Sequence, residues 1–148
     1  MSRGVPLLLA ALLGLGAAAN GMFMLISPAN WYFAVPGVTN TGPFNQHFVR
    51  DIGLIFLLVA MAMLTGIARP AARLSLWSAA ALWLSGHALF HFWEVAVGIC
   101  GTGALAQDFP AVTLPAILTT ALALWAWRDT GRERCRPNSA EDARAAQG

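Results

Sequence analysis

The sequence predicts an all-α protein: an integral membrane, antiparallel four-helix bundle with both termini cytoplasmic. Three observations carry this expectation. Of 148 residues, 57% are hydrophobic and only 11% charged, well under half the charged share of a soluble domain. Four apolar runs recur, each near the ~20 residues that a bilayer helix needs. The basic residues are all Arg, with no Lys, and they fall in alternate connections. A disordered chain, a nucleic-acid binder and an ordinary soluble domain are excluded by the same composition.

The runs are expected as helices at about 5–26, 48–67, 74–99 and 112–127 within a transmembrane domain of residues 1–127, followed by a disordered cytoplasmic tail at 128–148. Inside a bilayer these runs must be helical, because isolated strands leave backbone groups unpaired. The first run, with Arg3 ahead of it and Ala17-Ala18-Ala19 within it, has features of a secretory signal. It continues past that site through Met22-Phe23-Met24-Leu25-Ile26, so a retained helix is expected. Arg3, the pair Arg69 and Arg73, and the group Arg128, Arg132, Arg134 and Arg136 flank the helices on one side, whereas the connections 28–46 and 100–110 contain no Arg. Positive residues stay in the cytoplasm, which sets the orientation. Trp77, Trp125 and Trp127 are expected near the inner boundary and Trp31, Tyr32 and Trp93 near the outer one, with Trp83 packed mid-membrane.

Local signals refine this outline. The short Ala68–Ala72 connection makes the second and third helices neighbours. Gly14, Ala17, Ala18 and Gly21 allow close helix contact. Pro- and Gly-rich residues 28–46, with the Trp31-Tyr32-Phe33 cluster, are expected along the outer interface as an anchor or a lid. Cys100 and Cys135 should lie on opposite sides of the membrane and remain unpaired. Asp108 is expected to be solvated, and Thr113, Thr119 and Thr120 to bond their own backbone.

Ionisable groups inside membrane helices are costly and normally face the bundle interior. Here they are concentrated in the outer half. The second helix opens with His47, Arg50 and Asp51; the third carries His87, His91 and Glu94; the first carries Asn20. His87, His91 and Glu94 stand at i, i+4 and i+7 and form one stripe, and His47 and Asp51 share a face at i, i+4. Folding the hairpin about Pro70 places position 51 level with 89 and position 47 level with 93, so the two stripes are expected to converge.

Several chemistries fit such a cluster. His47, Asp51, His87, His91 and Glu94 form a candidate metal set, imidazole suiting a transition metal and carboxylate adding charge. Two opposed His could ligate haem. A His held by a carboxylate could move protons on an apolar ligand such as a quinone or lipid. A purely structural network, with Arg50 paired to Glu94 and Asp51 to a His, is the remaining alternative. No zincin signature, phosphate loop, nucleophile elbow or dinucleotide fingerprint occurs.

The series Asn20-Gly21, Ser27-Pro28, Trp31-Tyr32, Pro36-Gly37 and Phe44-Asn45-Gln46-His47-Phe48-Val49-Arg50-Asp51-Ile52-Gly53 resembles small four-helix bacterial membrane proteins of the DoxX-like kind. The resemblance covers about the first half of the chain. It implies a multi-pass protein of the bacterial inner membrane, with the bilayer as its surroundings, a membrane protein partner or a second copy as candidate partners, and an association with electron transfer to quinone or with redox protection. The expectation is therefore a redox-associated or ligand- or metal-binding membrane subunit. The alternatives are a small membrane enzyme or proton-coupled carrier for an apolar substrate, and a structural subunit.

Overall fold

The structure is a computed structural model that describes residues 3–134. Most of those residues are helical, with no strand among them. Helix α1 spans Gly4–Ile26, α2 Pro28–Ala34, α3 Gln46–Ala68, α4 Pro70–Ala96, α5 Gly103–Asp108 and α6 Leu114–Arg134; a 3₁₀ turn covers Val38–Asn40 and a π turn Phe109–Thr113. Three stretches, Gly4–Ile26, Gln46–Ala68 and Gly103–Gly131, are long and apolar enough to cross a membrane. Helix α4 has the length, 27 residues, but carries Arg73, His87, His91 and Glu94.

The helix ends follow local chemistry. Asn45 caps α3, its side chain accepting from the Phe48 amide at 3.1 Å, so the helix starts at Gln46 and not at 48. Proline is favoured in the first turn, where its missing N–H is no loss, and Pro70 starts α4 four residues before the expected position. Gly98 adopts φ 80°, and the amides of Ile99 and Cys100 fold back onto the Glu94 carbonyl at 2.9 and 3.3 Å. This Gly stop ends α4 at Ala96 and not at Ile99. At the far end α6 continues to Arg134. The expected disordered tail is therefore helix over 128–134, while residues 135–148, with Cys135 and Arg136, lie outside the described residues.

Helix α1 packs along α3, and α4 along α6. Lipid provides no hydrophobic drive for helices to associate, so close packing must do it. The α1–α3 contact runs through Gly14, Gly21 and Gly53: a Cβ on Gly21 would stand 2.7 Å from the Gly53 carbonyl oxygen. The α4–α6 side of the core is built largely of small residues, among them Ala80, Ala81, Ala88, Ala116, Ala123 and Ala126.

The two pairs are joined at the inner end, the end of Arg3 and Arg69. There Trp77 is fully buried and donates to the Met63 carbonyl at 3.1 Å. Trp77 is thus a core residue and not an interfacial anchor. Arg73 is also buried; its Nε donates to the Gly66 carbonyl at 2.8 Å and its Nη2 to that of Ile67 at 3.3 Å. Its guanidinium also lies over the rings of Trp77 and Trp125. Arg3 pairs with Asp129 at 3.3 Å, which puts the start of α1 and the end of α6 at this same end. Toward the outer end the pairs part, leaving an open space between them.

Candidate functional site

That space is a cleft of about 2450 Å³. Its floor includes Met63 and Thr119, both fully buried. Leu13 and Ala17 of α1, Phe56 and Val59 of α3, and Trp83 of α4 line its walls. Residues 35–46 and α5 close over its outer end, where Gly37 lies so near Gln107 that a Cβ there would be 3.0 Å from Nε2. Gly37 has φ 87°, a conformation that glycine adopts without penalty. Tyr32 secures this roof by donating to the Gly42 carbonyl at 2.6 Å.

Polar groups gather at the outer end of α4. The rings of Trp83 and His87 are stacked with centroids 6.2 Å apart, and His87 meets His91 edge to face at 4.8 Å. All three lie on one face because they are spaced by four residues. The Nδ1 of His91 stands 2.8 Å from Oδ2 of Asp108 on α5. A carboxylate only accepts, so Nδ1 donates to Asp108 and Nε2 is left for another partner. Glu94 is 8% exposed, lines the cleft and has its Oε2 4.0 Å from the same Nδ1.

Asp108 is the member that sequence reasoning missed; it stands in a connection and was expected to be solvated. The following Phe-Pro dipeptide carried the signal. Pro110 cannot donate an ordinary helical hydrogen bond, and the chain takes a five-residue π turn over Phe109–Thr113. Such a turn changes the helical phase, so α5 presents Asp108 to α4 and not to solvent.

The expected convergence of α3 and α4 does not occur. His47 and Asp51 pair with each other at 3.2 Å, with side chains 89% and 54% exposed. They continue the outward stripe of Leu54, Leu58 and Met61, all more than half exposed. The opposite face of α3, with Val49, Gly53 and Met63, is the buried one, and the close contact of Gly53 with Met24 fixes that rotation. His47 reaches the rim of the cleft and Asp51 is not in its lining. Arg50 does not pair with Glu94 either; its Nε donates to the Leu25 carbonyl at 3.2 Å, at the end of α1. Asn20 lines the cleft but accepts from Trp31 Nε1 at 2.9 Å, tying α2 to α1.

These positions bear on two of the expected chemistries. Among the described residues no group of three or more His, Cys, Asp or Glu is placed to hold a metal ion, and His47, Asp51, His87, His91 and Glu94 are not gathered as one set. Nor can His87 and His91 take opposite faces of a haem: their rings are in contact, and an iron needs about 2 Å to each nitrogen on opposite sides of a macrocycle. His47 is paired with Asp51. Cys100 is a free thiol, as expected. Thr119 and Thr120 donate to carbonyls of their own helix at 2.8 Å, also as expected. What the cluster can do is hold and orient a polar group at one end of an apolar cleft. No protein-family model, curated protein or solved structure matches this chain.

Proposed function

We infer that this chain is a ligand-binding membrane protein whose cleft takes a molecule with an apolar body and a small polar head. The reading includes a four-helix bundle in the bacterial inner membrane, α4 being the fourth span, with both termini cytoplasmic. Its main support is the placement of the His91–Asp108 pair, with His87 and Glu94, at the outer end of a space otherwise lined by apolar side chains. Binding sites of this class are mostly apolar with a few convergent polar groups that set orientation. The His91 ring, fixed by Asp108, offers Nε2 to the head, and the body lies toward Met63. The redox setting implied by the DoxX-like resemblance belongs to this proposal through the ligand: a quinone-like molecule has such a body.

The test is retention. The full chain is extracted in mild detergent and its bound small molecules are measured by native mass spectrometry and solvent extraction. The wild type should keep an apolar molecule that His91→Ala releases, with at least a ~10-fold fall in occupancy, equivalent to losing one good charge-assisted hydrogen bond. Equal retention by the variant, or none by either protein, overturns the assignment of the head to His91.

A further inference from the structure

We propose that Glu94 anchors a positive charge, so that the ligand of this cleft is a lipophilic cation, an amine or onium group on an apolar body. The proposal rests on the ligand-binding reading above and names the class of ligand. Three observations support it. The first is that Glu94 turns its carboxylate into the cleft with one loose partner. It is 8% exposed, and no donor among the described residues reaches its side chain within hydrogen-bond distance. The nearest, His91 Nδ1 at 4.0 Å, already serves Asp108 at 2.8 Å. Its acceptor capacity is therefore open to a cation arriving in the cleft.

The second is the sign of the surroundings. The cleft is lined by Glu94 and Asp108 but by no Arg, and the sequence contains no Lys. The arginines nearest in the fold are committed elsewhere, Arg50 to the Leu25 carbonyl and Arg73 to the carbonyls of Gly66 and Ile67 at the opposite end. A phosphate or carboxylate head would therefore meet two carboxylates and no arginine or lysine, which disfavours an anionic lipid as occupant. The third is the character of the walls. Trp31, Tyr32, Phe44, Phe56, Trp83 and Phe90 line the cleft, and aromatic faces attract cations, most strongly where water is excluded.

Ligands matched in shape and opposed in charge provide the test. Tetraphenylphosphonium and tetraphenylborate differ in sign at nearly the same size, and a short-chain benzoquinone supplies a neutral body. Binding of each to the detergent-purified full chain is followed by tryptophan fluorescence and calorimetry. Wild type should prefer the phosphonium over the borate by at least ~10-fold, and Glu94→Gln should abolish that preference; the exposed carboxylate variant Asp51→Asn should keep it. The comparison of the two ions on wild type stands even where Glu94→Gln unfolds. Equal binding of both ions, or a preference that survives Glu94→Gln, overturns the proposal. Binding of the quinone without the phosphonium overturns the cation assignment and leaves the cleft reading standing; binding of none of the three overturns both.

Discussion

At the scale of single residues, the arginines show how one side chain closes an account opened by a helix end. The last carbonyls of a helix have no partner within it. Arg73 answers those at the end of α3, and Arg50 answers one at the end of α1. Arg73 acts in a buried setting, where an unmet carbonyl costs more than on a soluble surface. Replacing Arg73 with Met keeps the packing against Trp77 and Trp125 and removes the donors. Stability in detergent should fall by about 1.5–3 kcal/mol, with Arg73→Lys recovering part of it, since an ammonium lacks the planar fork. Thermal unfolding followed by circular dichroism measures this; an unchanged midpoint in the Met variant would mean that these hydrogen bonds contribute nothing net.

At the scale of elements, the rotation of one helix decided the composition of the site. Val49, Gly53 and Met63 place α3 against α1, and His47 and Asp51 are then carried outward by helical geometry. A Cβ on Gly53 would stand 2.9 Å from that of Met24 and 3.1 Å from the Gly21 carbonyl oxygen, whereas one on Gly16 meets nothing within 4 Å. The two Gly→Ala changes should therefore have opposite signs. Gly53→Ala should destabilise by about 1–3 kcal/mol through overpacking, and Gly16→Ala should stabilise by up to about 1 kcal/mol through helix propensity. Unfolding midpoints of the pair decide it; a neutral Gly53→Ala would show that α1 and α3 can part without penalty. The π turn before α6 acts in the same way as the contact at Gly53. It brings Asp108 to His91, a pairing that no regular spacing along the chain would announce.

At the scale of the whole molecule, closing one end and opening the other yields a cleft with a preferred direction. The inner end is held by Trp77, Arg73 and the Arg3–Asp129 pair, and the outer end is spanned by residues 35–46 and α5. The arginine pattern predicts that the end of Arg3 and Arg69 faces the cytoplasm. A green fluorescent protein fused after Gly148 should fluoresce, because it folds in the cytoplasm, and alkaline phosphatase inserted after Gly101 should be active, because it requires the oxidising side. The reverse pattern would invert the bundle and place the mouth of the cleft toward the cytoplasm.

Much of this was legible before any coordinates. Composition and the four apolar runs determine a helical, membrane-compatible chain, since only helices satisfy their own backbone without water. Spacing alone put His87, His91 and Glu94 on one stripe, and small residues marked the face of α1 that meets α3. What the tertiary structure alone decided is which partners those groups have. Periodicity reports which residues share a face, but the rotation of each helix about its axis is set by contacts such as Gly53 on Met24 and by the π turn at Phe109–Thr113. Both are long-range or irregular, and a pattern along the chain does not encode them. The carboxylate expected from Asp51 thus comes from Asp108, and Glu94 faces the cleft with His91 at 4.0 Å.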